Sequence, residues 1–284
     1  MAEVEIVEVG PRDGLQNEPR PIPTAEKIRL VDMLSATGLR RIEATSFVSP
    51  RLVPQLADGA EVMAGIARPP GVAFAALVPN LRGFEAARAA GADEAAVFAA
   101  ASETFSRRNI NATIAESLER FAPVAGAARA AGIALRGYVS CVTDCPYEGE
   151  IAPAAVAAVV ARLLALGCRE VSLGETLGRG APARVAAMLE AALEVAPPHR
   201  LAGHFHDTGG RALANVEVGL AHGLRVFDAA AGGLGGCPFA PGASGNLATE
   251  ALAARLAELG HRTGVDAARL AEAGAFARGL RGPA

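Results

Sequence analysis

The chain contains no tryptophan, only two tyrosines, and a single lysine, Lys27, among its 27 basic residues. The lysine deficit is the most restrictive. An enzyme that makes or breaks carbon–carbon bonds through a Schiff base needs an amine that can lose its proton in an apolar setting. Lys27 lies in TAEKIRL, an early helical segment where solvation is expected, so that route is excluded and a metal ion becomes the expected electron-withdrawing group for any such chemistry. Four cysteines in 284 residues do not make a disulfide framework, and Cys141, Cys145 and Cys168 read as free thiols of a reducing compartment. No apolar run reaches the ~20 residues that span a bilayer. A formal net charge of −3 with no block of like charge offers no footprint for nucleic acid and no charged tail. A strand-like run begins at Val4, leaving no room for a signal or transit peptide, and the expectation is a cytoplasmic protein without a membrane partner.

What is present is a regular alternation. Short β-like runs occupy 4–9, 41–46, 72–78, 94–100, 134–142, 170–175, 200–207 and 225–233. Helical patterns lie between them near 24–37, 53–67, 81–90, 110–131, 153–166, 182–196, 210–222 and 244–260. Thr24 reads as a helix N-cap. Gly38, Gly91, Gly132, Gly167 and Gly223 each stand just past a helical run, where a left-handed residue is favoured. Eight strand–helix units with short connections predict an α/β fold, a (β/α)8 TIM barrel forming one catalytic domain over 1–284, with a short C-terminal helical extension over 264–284. The competing doubly wound sheet would place G-x-G-x-x-G after the first strand; GPRDGLQNE stands there instead.

In such a barrel, chemistry collects at the C-terminal ends of the strands. Those ends carry Arg12 and Asp13, Glu43 and Ser46, Tyr138 and Ser140, Glu175 and Thr176, then His204, His206 and Asp207, and finally a loop with Cys237, Ser244 and Asn246. His204 and His206, two apart in LAGHFHDTGG, project from one face of an extended chain. With Asp13 and Asn246 they form a mixed nitrogen–oxygen set suited to Mg²⁺ or Mn²⁺ with open positions for substrate oxygens, unlike the thiolate-rich closed shell of structural zinc. Glu43 interrupts an apolar strand. A buried carboxylate is costly unless paired or ligating, so it is either an ion-pair partner of Arg12 or Arg41 or a site carboxylate that orients Arg12 or a metal-bound water. Cys237 follows the glycine-rich GGLGG, which lacks phosphate-loop spacing; a thiol on a loop over the barrel mouth is a candidate acid or base.

VGPRDGLQNE, IEATSFVSP, ASETFSRRNINATIAES, GYVSCVTDCPYEGEI, SLGETLG, HFHDT and GGLGGCPFAPGASGNLATE, in that order along nearly the whole chain, resemble the 3-hydroxy-3-methylglutaryl-CoA lyase family. That family lies within a wider group of barrel metal-dependent acyl lyases and synthases. The cysteine-bearing segment is the specific one; HFHDT and the PRDG turn belong to the wider group. The resemblance implies that Asp13, His204, His206 and Asn246 hold the cation and that Arg12 stabilises the enolate oxygen of the departing thioester. It also implies that Cys237 is the catalytic thiol, that Glu43 supports the metal–arginine arrangement, and that Asn109 lies near the CoA, with Tyr138 lining the substrate site. It implies an acyl-CoA substrate, a homodimer, and retro-Claisen cleavage to acetyl-CoA and acetoacetate, as in leucine degradation or another acyl route. His204 and Glu175 are the candidates for the base that takes the C3 hydroxyl proton. Three departures bear on substrate range: Glu175 where the family has aspartate, Pro19 where a lysine is usual, and Gly209-Gly210 in place of a bulkier pair. A lyase for a longer or branched 3-hydroxyglutaryl thioester, a condensing synthase, and a metal-binding scaffold without turnover are the alternative readings.

Overall fold

A computed structural model describes residues 2–237 and 240–281; the side chains of residue 17 and of residues 236–237 and 240–244 lie outside that description. Eight parallel strands close into a barrel: β1 (Glu5–Glu8), β2 (Arg41–Ser46), β3 (Ala73–Leu77), β4 (Glu94–Ala100), β5 (Ala134–Ser140), β6 (Glu170–Glu175), β7 (Leu201–Phe205) and β8 (Val226–Ala229). Each strand pairs with its sequence neighbours, and β8 closes on β1 through Glu5↔Val226 to Glu8↔Ala229. The helices are α1 (Thr24–Ser35), α2 (Gly59–Gly65), α3 (Leu81–Ala89), α4 (Glu103–Ile110), α5 (Ile114–Ala131), α6 (Pro153–Leu166), α7 (Pro182–Leu193), α8 (Ala212–Ala221), α9 (Thr249–Glu258) and α10 (Ala267–Leu280), the last being the expected C-terminal extension. No helix among the described residues is long and apolar enough to cross a membrane.

The alternation of strand residues divides two environments. Ile42, Val97, Val139, Val171 and Leu173 are buried with the helical layer in the main hydrophobic core. The opposite face fills the barrel with charge. Arg41 on β2 bonds Glu170 on β6 at 3.1 Å, and Arg136 on β5 bonds Glu170 at 2.8 Å and Asp228 on β8 at 2.7 Å. Arg41–Glu170 and Arg136–Asp228 join strands that are not neighbours, so these contacts cross the barrel lumen. Branched apolar residues commonly fill such an interior. Here a lattice of ion pairs does so, and removing one partner from a buried pair costs about 3–5 kcal/mol.

Several local expectations need correction. Thr24 is the first residue of α1 rather than its cap, and its hydroxyl donates to Asp58 Oδ2 at 2.8 Å. Lys27 is buried, not solvated: its ammonium is held by Asp58 at 2.7 Å and by the Gln55 carbonyl. It remains unsuited to Schiff-base chemistry, because it is bound in an ion pair between α1 and the segment before α2. Residues 103–110 form the separate helix α4, capped by Ser102, whose hydroxyl accepts from Phe105 N at 3.0 Å; α5 starts anew at a Thr113–Glu116 capping box. The last barrel strand stops at Ala229, and α9 begins at Thr249, five residues later than the sequence pattern places it. All five glycines read as helix terminators have positive φ, from +68 to +111.

Candidate metal centre and active site

β1 runs into a single π-helical turn, Gly10–Gly14, in which the N–H groups of Arg12, Asp13 and Gly14 all point at the Val9 carbonyl. π turns concentrate at functional sites because they re-aim consecutive side chains. This one presents Arg12 and Asp13 together at the C-terminal mouth. On the far side of the chain, His206 and Asn246 form an antiparallel bridge, and Asp207 N donates to Gly245 O at 2.7 Å. The segment after β8 is thereby folded back across the end of β7.

Asp13, His204 and His206 each offer a ligand atom, and these atoms lie within 4.8 Å of one another. The imidazole rings stand 5.2 Å apart, and His204 Nε2 is 3.9 Å from Asp13 Oδ2. Whether the residues suit a cation is answered by His206. Its Nδ1 is buried without a hydrogen-bond partner. A buried ring nitrogen without a partner is costly unless something pairs with or coordinates it. Burial and the neighbouring His204 ring hold the His206 pKa down to about 4, so the ring is uncharged at neutral pH and keeps one bare nitrogen for a cation. Burial works against ionisation of Asp13, but the Arg12 guanidinium, the two imidazoles and Asn246 outweigh it and hold the carboxyl down to about 2. The donor set is one carboxylate and two imidazoles, compatible with Mg²⁺ or Mn²⁺.

Asn246 converges on this group as expected, but through the other end of its amide. Nδ2 donates to Asp13 Oδ2 at 2.9 Å and to Leu234 O at 3.2 Å, so in this arrangement the amide nitrogen, not the oxygen, faces Asp13. Arg12 bridges the two carboxylates: Nη1 donates to Asp13 Oδ1 at 2.7 Å and Nε to Glu43 Oε2 at 2.5 Å. Glu43 is therefore the ion-pair partner of Arg12 rather than of Arg41, and burial raises its pKa although Arg12 opposes the rise. Arg12 also lies over the Tyr138 ring, 5.4 Å from its centroid, with His204 edge-on to the same ring at 6.2 Å.

Glu175 is fully buried at the end of β6. Thr143 donates to Oε1 at 3.2 Å, the backbone N–H groups of Arg179 and Gly180 reach the carboxylate, and Oε2 has no partner. Burial raises its pKa. Gly180 makes room for the longer side chain, because a Cβ there would stand 2.9 Å from Glu175 Cγ. Asn109 is exposed on α4, on the rim that follows β4, away from the buried group. The backbone of Cys237 lies in a short hairpin with Ala240–Ser244, while its side chain, like that of Ser244, lies outside the described residues.

Two participants escaped the sequence reading. Asp228 accepts from His204 Nδ1 at 3.2 Å, and Gln16 Nε2 donates to Asp13 Oδ1 at 2.9 Å. The signal for Asp228 was there: like Glu43, it is a carboxylate inside an apolar strand, RVFDAAA. Nothing in the sequence marks Gln16.

The site can be set beside known proteins. The hydroxymethylglutaryl-CoA lyase of Bos taurus mitochondria is 58% identical over 274 residues, 96% of this chain and 84% of that protein. A Pseudomonas aeruginosa protein named 3-hydroxy-3-isohexenylglutaryl-CoA/hydroxy-methylglutaryl-CoA lyase is 57% identical over 271 residues, 95% of this chain and 90% of that one. The crystal structure of the HMG-CoA lyase from Brucella melitensis superposes with a TM-score of 0.98 at 63% identity, covering 99% of both chains. The HMGL-like family model matches residues 3–276, which takes in the π turn, both histidines and Asn246, and the chain belongs to that family.

Proposed function

We propose that this protein is a divalent-metal-dependent carbon–carbon lyase that cleaves 3-hydroxy-3-methylglutaryl-CoA to acetyl-CoA and acetoacetate. The observation that carries the reading is the convergence of Asp13, His204 and His206 around an orphaned imidazole nitrogen, directly beside the Arg12 guanidinium. The names of the relatives supply the substrate.

Asp13, His204 and His206, with Asn246 supporting Asp13, would hold Mg²⁺ or Mn²⁺. When bound, the cation supplies Lewis acidity that eases ionisation of the C3 hydroxyl. Both nitrogens of His204 are engaged, Nδ1 with Asp228 and Nε2 toward Asp13, which leaves the base role to Glu175. Its unpartnered Oε2 and raised pKa suit a proton acceptor. As the C2–C3 bond breaks, its electron pair passes to the thioester as an enolate and C3 becomes the ketone of acetoacetate. Arg12, locked by Asp13 and Glu43, faces the enolate oxygen, where a preorganised positive charge is worth most. The Cys237 thiol gives its proton to the enolate carbon, completing acetyl-CoA; Tyr138 and Asn109 contact the substrate.

A second reading extends the substrate to longer C3 branches. A small apolar cluster separate from the main core, Leu77, Ala96 and Tyr138 with partly exposed Val48 and Phe98, adjoins Arg12 and His204 through Tyr138. It offers a wall for an alkyl branch, in line with the isohexenyl substrate named for the Pseudomonas relative. The reading further extends to a homodimer, checked by sedimentation, and to a cytoplasmic enzyme of leucine degradation, checked by cell fractionation and growth on leucine after deletion.

The test is product identification. Purified protein given 3-hydroxy-3-methylglutaryl-CoA is expected to release acetoacetate with Mg²⁺ or Mn²⁺ and none in excess chelator. Absence of acetoacetate after metal reloading overturns the substrate, and full turnover in chelator overturns the metal role. Side-by-side rates with a longer-branched thioester decide the second reading.

A further inference from the structure

We infer that Asp228, clamped by Arg136, is the positioning residue that sets the tautomer of His204, so that its Nε2 is left bare toward the cation. The inference rests on the reading of His204 as a ligand.

Every group around the Asp228 carboxylate is a donor. Arg136 donates from Nη2 to Oδ1 at 2.7 Å and from Nη1 to Oδ2 at 3.1 Å, and the Ser172 hydroxyl donates to Oδ2 at 2.7 Å. The guanidinium keeps the carboxylate ionised, and an ionised carboxylate can only accept. His204 Nδ1, 3.2 Å from Oδ2, must therefore carry the proton; otherwise a lone pair would face a carboxylate oxygen in a buried site. The remaining lone pair is on Nε2, the nitrogen that faces Asp13.

Asp228 cannot drift from this task. Arg136 is 1% exposed and gripped from below by Glu170, which is itself bonded by Arg41; above, it donates to the Tyr138 hydroxyl at 2.8 Å. The charged lumen of the barrel is thus a continuous ladder, Arg41–Glu170–Arg136–Asp228–His204, that ends on the cation site. An outer carboxylate of this kind fixes ring orientation and raises ligand basicity.

Asp228→Asn is the direct test. One amide oxygen cannot satisfy donors at both former carboxylate positions, and an amide N–H turned toward His204 would reverse its tautomer, as the same exchange does in serine proteases. The substrate-free protein is titrated with Mn²⁺ and followed by EPR. Asp228→Asn is expected to bind about 10–100-fold more weakly than wild type, while Ser172→Ala, which keeps both arginine bonds, stays near wild type. Independently, ¹⁵N-histidine-labelled, metal-free wild type is expected to show His204 as the Nδ1–H tautomer. Failure of wild type to bind Mn²⁺ removes the ligand reading beneath the inference. Tight Mn²⁺ binding by a folded Asp228→Asn protein, or an Nε2–H signal for His204 in wild type, overturns the positioning role itself. The second result holds even where the variant does not fold.

Discussion

Asn246 donates from Nδ2 to Asp13 Oδ2 at 2.9 Å, a contact across 233 positions of sequence. It ties the turn after the first barrel strand to the segment that follows the last. The site is therefore assembled only when the barrel closes, since its carboxylate and the amide that steadies it arrive from opposite ends of the chain. The close approach depends on Gly235, whose φ is +94 and whose missing Cβ would stand 2.9 Å from Asn246 Nδ2.

Gly235→Ala should consequently do two things at once. A left-handed backbone forced on alanine costs about 1–3 kcal/mol, and the added methyl pushes the Asn246 amide from Asp13. Thermal unfolding is expected to show the loss of stability, and Mn²⁺ titration a weakened site; a variant with wild-type melting and wild-type affinity would show that the loop yields freely.

Arg12 and Glu43 act as one unit, because Glu43 holds the guanidinium at Nε. Arg12→Gln is expected to lower kcat by about 10²–10³-fold with little change in KM, as for loss of a group that meets charge only in the transition state. Glu43→Gln leaves Arg12 charged but misplaced and should cost about 10²-fold. In the double variant the losses should not multiply, since both changes remove the same interaction. Steady-state kinetics on the four proteins decides this.

Cys237→Ala separates chemistry from metal binding. Most turnover should vanish while Mn²⁺ affinity is retained. Unchanged turnover would leave protonation of the enolate carbon to another group.

Glu8 provides a pH signature unrelated to the metal. Fully buried, it accepts from Gly10 N, Ala231 N and the Thr249 hydroxyl, holding the β1 end to the chain beyond β8. Burial raises its pKa from the ordinary 4.5 to about 7 against those hydrogen bonds. The folded state therefore binds a proton more tightly than the unfolded chain. Its stabilising contribution is complete below pH 4.5 and is lost as pH climbs through 7, roughly 3 kcal/mol across the window. Glu8→Gln should flatten the fall in unfolding free energy over that range, as read from urea titrations at several pH values; an unaltered slope assigns the pH dependence elsewhere.

The architecture was written in the sequence because it depends on local periodicity. All eight strands lie within the runs that alternate with helical patterns, and the glycines after the helices mark their ends through backbone geometry alone. The site was legible to the extent that its residues stand at strand ends: Asp13, His204 and Asn246 converge because eight parallel strands deliver their C-terminal ends to one mouth. Lys27 was misjudged because a surface-helix position says nothing of Asp58, a distant partner that meets it only after folding. The same holds for Thr24, whose hydroxyl found Asp58 instead of its own helix. Which way the Asn246 amide turns, which arginine Glu43 binds, and the ladder that runs from Arg41 to His204 were decided only by tertiary structure. These are contacts between residues far apart in the sequence, and their partners are chosen by register and by the need to pair buried charges, neither of which any single stretch of chain contains.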